Sequence, residues 1–420
     1  MTVAAITVDE LARAQAAYAI FARFDRTAMH RHLTAPAPRG RLSGKVIGLK
    51  DNIALQGAIQ AAGMAQRAQR VAACDAHVTR LLRLAGARLL PGLNMDEAAL
   101  GGVTDNPHFG RTDNPRAPGH SAGGSSGGAA AAVAAGVMDA ALGTDTLGSI
   151  RIPASYCGVA GLKPTAGLVG RGGIVPLSPS LDAVGPMAAS CADLWPLIAS
   201  LAGHDPDDPD SVPTPAGWAH RDERPMRIGL PDATDGVDVE PQVRAALHSA
   251  IAALRATGAE VVPVHVPGWD PSALRRAAFI LTEHEGATAL ADDLARGDGF
   301  SQGVRGLLNF GRDLPARKLA AAVGEVRRAA MGLRVTFEQV DAIVTPTTPQ
   351  RAIRAQDAAP ANQADFTALA NAAGVPAIAV PVQVPGDTRP ASVQLTGRAW
   401  SEAALIAQAV SLEAALIGRR

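Results

Sequence analysis

Apolar and polar positions along the chain repeat with two periods, and the switches between them outline an α/β protein. Residues 5–25 carry apolar positions at helical spacing and predict an amphipathic helix. The segment 35–44, APAPRGRLSG, is a loop, and 45–50, KVIGLK, predicts a strand ended by the polar turn Asp51-Asn52. Residues 77–88 return to helical spacing, and 89–92 form a short strand. An Ala-rich run from 129 predicts a helix, and the apolar run after it a strand. Residues 176–200 read as loop and then helix, and 204–225, rich in Pro and Asp, as a surface connection. Strands are predicted at 227–230, 259–266, 341–345, 374–382 and 392–397. Helices are predicted at 241–257, through most of 271–340, and at 403–416. Strands occur on both sides of 204–225. The expected fold is therefore one large α/β domain over 1–420, with a central mixed, twisted β-sheet covered by helices.

Composition narrows the function classes. The chain has 420 residues, 47% hydrophobic and 19% charged, with formal net charge zero. That balance permits a sizeable core and argues against a general nucleic-acid or anionic-membrane binder. Lysine occurs only at Lys45, Lys50, Lys163 and Lys318, so each one merits inspection. Cys74, Cys157 and Cys191 are odd in number and lack metal-ligand spacing, as in a reduced intracellular protein. Asp9 and Glu10 fall where a signal peptide needs an apolar stretch. The run 129–142 contains Gly136 and Asp139 and is too short to span a bilayer. These features predict a cytoplasmic protein with no membrane partner.

Candidate chemistry concentrates in 119–158, which holds two Gly/Ser clusters, GGSSGG at 123–128 and TDTLGS at 144–149. A phosphate loop is excluded, because Gly40 to Lys45 is one residue short of the required spacing and lacks the following Ser/Thr. A dinucleotide fingerprint needs a strand before the glycines, and RTDNPRAP precedes them instead. Ser121 and Ser125 each sit in a G-x-S-x-G pattern, but a nucleophile elbow also requires a strand immediately before the serine. His284 lies between Glu283 and Glu285 without a second His at helical spacing, which leaves metal chemistry unsupported. The remaining reading is a serine nucleophile with a lysine base. Such a lysine must be neutral, so its pKa has to fall well below ~10.4 through burial or nearby positive charge. Lys50 ends an apolar strand, and Ser149 opens the short helix predicted in IRIPASYC, where free backbone N–H groups suit an oxyanion.

GLKDN (48–52), GGSSGGAAAAVAAG (123–136) and GTDTLGSIRIPASYCGVAGLKPT (143–165) together resemble the amidase signature family, with Lys, Ser and Ser in the same order. Segments 175–187, 344–349, 372–382 and 392–405 extend the resemblance over nearly the whole chain. It implies hydrolysis of the C–N bond of a small amide, with Ser149 as nucleophile, Ser125 as proton relay on a cis Gly124–Ser125 peptide, and Lys50 as general base. The oxyanion donors it implies are the backbone N–H groups of Thr146, Leu147 and Gly148, completed by Ser149 itself. No metal or cofactor is implied. Leu147 stands where the family commonly has glycine, so a positive φ there would be strained and its side chain would reshape the pocket.

Asp145, Arg151 and Ser126 are candidate supporting or substrate-binding residues. Asp145 and Arg151 are read chiefly as fixing the oxyanion loop, with Arg151 also open to an acidic substrate. Ser121 is read as a loop hydrogen-bonder, Cys157 as core, Lys163 as structural, and Gln394 and Thr396 as packing. The expected partner is a small-molecule amide, without direct nucleic-acid contact, and a homodimer is left open. The alternatives are the glutaminase component of an amidotransferase, a hydrolase of urea-like or carboxylated amides, and a binding component without catalysis. Substrate range is expected to lie in 50–120 and 270–345.

Overall fold

The computed structural model describes residues 6–220, 224–297, 299–384 and 386–418. Residue 5 of the predicted first helix and residues 221–223 of the predicted connection lie outside the described residues. The strands are β1 (Val46–Lys50), β2 (Arg88–Leu93), β3 (Asp105–Asn106), β4 (Gly110–Arg111), β5 (Ala140–Asp145), β6 (Ala160–Lys163), β7 (Ala183–Ala188), β8 (Arg227–Pro231), β9 (Glu260–Val264), β10 (Ala342–Pro346), β11 (Ala377–Val382) and β12 (Ala391–Gly397). Ten of them form one mixed sheet in the order β2-β1-β5-β7-β6-β11-β12-β10-β8-β9, while β3 and β4 pair separately. Strands from both sides of 204–225 share this sheet, so the chain is a single α/β domain.

Alternation along the strands explains why both faces are covered. Ile47, Leu49, Leu89, Ala140 and Leu142 point into one hydrophobic core. Val46, Leu90 and Ala141, one residue out of phase, point into another. Helices α1 (Val8–Tyr18), α2 (Arg26–Thr34), α4 (Gly127–Ala134) and α5 (Arg151–Cys157) supply residues to the second core. Helices α3 (His77–Leu84), α6 (Leu194–Leu201), α7 (Pro241–Ala256) and the closing helix Glu402–Ile417 supply the first. A third core lies between β10 and two long helices, α8 (Pro271–Ala289) and Ala316–Thr336. Every residue of α4 is buried, which is why its Ala-rich sequence has no polar face.

Two expectations are corrected. The first helix is shorter than 5–25. It starts at a Thr7/Glu10 capping box and ends where Ala19 turns left-handed, at φ 48°. Strands β6 and β7 arise where the sequence pattern predicts none, because AGLK and AVGPMA are poor in β-branched residues and contain Gly and Pro. They are held by neighbours on both sides. At Gly185 a Cβ would fall 2.0 Å from the Leu162 carbonyl oxygen, so this close approach admits only glycine. The described part of the 204–225 segment runs over the surface, with most of its residues exposed, and is pinned there by a few buried side chains. Asp205 and Asp208 are buried, and Trp218 donates from Nε1 to Glu402 at 2.7 Å and stacks on Trp195. No helix among the described residues is long and apolar enough to cross a membrane.

Candidate active site

The sheet carries Lys50 to the end of β1, a strand buried at all five positions, and leaves the side chain with no exposure. Its Nζ donates to Ser125 Oγ at 2.7 Å and to Thr144 Oγ1 at 2.9 Å. Asn52 Nδ2 also donates to Thr144 Oγ1, at 3.2 Å. Burial dominates the titration of Lys50 and pushes its pKa down to about 7, although the Asp96, Asp182 and Asp145 carboxylates oppose the shift. About half of the amine is then neutral at pH 7, against a few parts in ten thousand at the usual lysine value.

Ser125 is presented by the loop before α4, and the Gly124–Ser125 peptide is cis. This loop packs on Asp96 so closely that a Cβ on Gly124 would lie 2.0 Å from Asp96 Oδ2. Asp96 in turn accepts from the N–H groups of Val103 at 3.2 Å and Thr104 at 3.0 Å. Burial raises the Asp96 pKa to about 6, with the Thr104 and Val103 N–H bonds and Lys50 opposing a larger rise. Ser126 is fully buried and its Oγ donates to the Thr144 carbonyl at 3.2 Å, so it ties the first Gly/Ser cluster to β5 and faces no solvent. Ser121 sits in a loop and donates to the Val103 carbonyl at 3.0 Å, without the strand an elbow requires. His284 Nδ1 is 2.9 Å from the Gly311 carbonyl oxygen.

The second cluster is shaped by Asp145 at the end of β5. Its carboxylate accepts from Gly148 N at 2.7 Å, Ile150 N at 3.1 Å, and Arg151 Nε and Nη2 at 3.0 and 2.9 Å. Burial works to raise its pKa, but Arg151, reinforced by Lys163 and Asn371, holds it down at about 2. Arg151 donates further to the Thr367 carbonyl, Gln394 Oε1 and Asn371 Oδ1 at 2.9, 3.0 and 2.6 Å. All five guanidinium donors are thereby used, and the side chain is fully buried. Of the two readings of Arg151, these bonds fit the one given first, a side chain that fixes the oxyanion loop, and leave no donor for an acidic substrate. Gln394, read from sequence as packing, is one of the groups that lock Arg151. Arg151→Met leaves Asp145 as an uncompensated buried charge. It should lower unfolding stability by ~3–5 kcal/mol, measured by denaturant titration.

The same carboxylate corrects the expected oxyanion donors. Gly148 N–H is held by Asp145 and is not available, whereas the N–H groups of Thr146, Leu147 and Ser149 have no hydrogen-bond partner among the described residues. The positive φ in this loop falls on Gly148, at 130°, and not on Leu147, so Leu147 carries no backbone strain. Its side chain instead forms part of a cavity wall.

That cavity, of about 310 Å³, is where Ser149 emerges. Thr146, Leu147 and Ile152 line it with Ser149, together with residues 99–102, Leu177, one face of α8, residues 359–361, Gln363 and Ala364. Ser149 is 9% exposed and its hydroxyl makes no hydrogen bond to Ser125. Lys50 and Ser125 are therefore in contact, and Ser149 lies at the cavity wall without a hydrogen bond to either. Sequence reasoning missed Thr144 and Asn52, although both lie inside the quoted motifs. It also missed Asp96, which lies outside them and carries no motif signal.

A family model described as Amidase matches residues 6–406. A component of the glutamyl-tRNA(Gln) amidotransferase of Synechococcus sp. (strain RCC307) is 35% identical, over 92% of this chain and 86% of the relative. A solved structure described as an amidase has a TM-score of 0.85 and 30% identity, covering 98% of this chain and 95% of that one. A substrate complex of 6-aminohexanoate cyclic dimer hydrolase has a TM-score of 0.86 and 26% identity, covering 97% and 92%.

Proposed function

This chain belongs to the Amidase family and is an enzyme acting on C–N bonds; from that premise we propose that it hydrolyses a small linear amide through an acyl-enzyme on Ser149. The observation that carries this reading is the fully buried Lys50 Nζ, 2.7 Å from Ser125 Oγ, with Ser149 at the wall of an adjoining cavity.

Neutral Lys50 accepts the Ser125 hydroxyl proton along the existing contact, and Ser125 accepts the proton of Ser149. The Ser125–Ser149 link forms when substrate fills the cavity, since catalytic hydrogen bonds commonly tighten only in the complex. Ser149 Oγ bonds to the amide carbon, and the N–H groups of Thr146, Leu147 and Ser149 receive the oxyanion. Collapse breaks the C–N bond as the proton held on Lys50 returns through Ser125 to the leaving amine. Water then attacks the ester by the same route, releasing the acid and free Ser149. Asp145 and Arg151 position the oxyanion loop, and Ser126 and Thr144 position the proton relay.

A second reading, a glutaminase component that works with partner proteins, is favoured by the 35% identity to a relative named as part of an amidotransferase. Ammonia release by the isolated chain, screened over alkyl, aryl, dicarboxylic and urea-type amides and L-glutamine, separates the two. Turnover of simple amides without a partner supports hydrolysis. Activity confined to glutamine and dependent on added partner proteins supports the second reading.

A further inference from the structure

The cavity at Ser149 has an unbalanced lining. Most of it is apolar: Leu147, Ile152, Leu177, Phe279 and the small residues of 99–102 and 359–364. Among the described residues, one charged side chain reaches it, Arg275. Arg275, Phe279 and Thr282 fall at i, i+4 and i+7 of α8, so a single stripe of that helix faces the cavity. The other polar linings from beyond the nucleophile loop are already engaged. Thr282 Oγ1 donates back to the Ala278 carbonyl at 2.9 Å. Gln363 Nε2 donates to the Gly102 carbonyl at 3.0 Å and to Tyr156 OH at 3.1 Å.

Arg275 differs from Arg151, whose donors are all used. Its Nε donates to Asp365 Oδ1 at 2.6 Å and its Nη2 approaches Ser272 Oγ at 3.4 Å. Nη1 has no partner among the described residues, and the side chain is 18% exposed. Asp365 is not itself a lining residue and is 5% exposed. It therefore fixes the guanidinium by one edge and leaves donors for a ligand. An arginine held in this way suits a planar carboxylate, which it can engage through two N–H groups. Among the described residues, no acidic side chain lines the cavity to receive an ammonium group.

We propose that Arg275 is the specificity-determining residue of this cavity, and that the preferred substrates are half-amides of short dicarboxylic acids: an apolar acyl chain with the amide at one end and a carboxylate at the other. The inference rests on the acyl-enzyme reading of Ser149. It also separates the substrate from glutamine, whose ammonium group finds no counter-charge here.

The test compares glutaramate, pentanamide and L-glutamine. Glutaramate should exceed both others in kcat/KM at least tenfold. In Arg275→Gln the glutaramate-to-pentanamide ratio should fall at least tenfold, chiefly through KM, and Arg275→Lys should restore part of it. Calorimetric titration of Ser149→Ala with glutaramate provides a readout free of turnover, and adding Arg275→Gln should weaken binding at least tenfold. A wild-type preference for pentanamide or glutamine, a ratio indifferent to Arg275→Gln, or no glutaramate binding by Ser149→Ala would overturn the proposal. Ser149-dependent turnover with a ratio indifferent to Arg275 sinks this inference alone. Arg275-dependent binding with turnover that survives Ser149→Ala sinks the acyl-enzyme reading and leaves this one standing.

Discussion

Ser149→Ala abolishes amide turnover, by about 10⁴-fold or more in kcat, because the acyl-enzyme has no oxygen on which to form. The same change is expected to leave stability within about 0.5 kcal/mol. The Ser149 hydroxyl faces the cavity and makes no side-chain hydrogen bond among the described residues, so its removal leaves no buried partner unsatisfied. Steady-state kinetics and denaturant unfolding of the same preparation check both parts. A variant that is inactive and also unfolded would point to a structural serine. A folded, active variant would remove Ser149 from the chemistry.

Lys50→Met should lower kcat/KM by ~10²–10⁴-fold, the contribution of a positioned general base. Methionine keeps much of the buried volume while removing the amine, which limits the disturbance to the core. The pH profile gives an independent signature. Only the neutral amine has a lone pair for the Ser125 proton, and the neutral fraction grows as pH rises. Activity of the wild type should therefore climb with pH, with a midpoint near the Lys50 value of about 7, and level off above it. The residual activity of Lys50→Met should lack that limb. A wild-type midpoint near 10 would mean that Lys50 titrates like an exposed lysine, and a flat profile would mean that it does not control the rate.

The catalytic candidates are legible in the sequence because each sits in a short motif whose residues depend on local backbone: a polar turn after β1, a glycine loop before α4, and a serine before α5. Most of the sheet is legible for a similar reason. Buried strands such as AIVTP and VIGLK are continuous apolar runs bounded by turns. What stays hidden depends on neighbours that are distant in sequence. β7 forms because β5 and β6 flank it, not because AVGPMA favours a strand. In the sequence alone Gly148 N–H counts as a free donor, whereas the fold turns the Asp145 carboxylate back onto it. Arg151, beside the nucleophile in sequence, reads chiefly as a loop-fixing residue but leaves a substrate anchor open. Besides nearby Asp145, its partners are Thr367, Asn371 and Gln394, more than 200 residues away. The pocket stripe on α8 is equally unreadable. The pattern predicts the helix but not which of its faces meets the cavity; 99–102 and the α8 stripe fall within the stretches expected to set substrate range, whereas the lining residues from 359 to 364 fall outside them.

The central claim is that one serine, Ser149, forms the covalent intermediate while Ser125 and Lys50 move its proton. A serine-directed fluorophosphonate, followed by peptide mass mapping, tests it most directly. The account predicts a single adduct on the peptide containing Ser149, formed stoichiometrically with loss of activity and strongly slowed in Lys50→Met. An adduct on Ser121 or Ser125, with Ser149 unmodified in the inactivated protein, would contradict it.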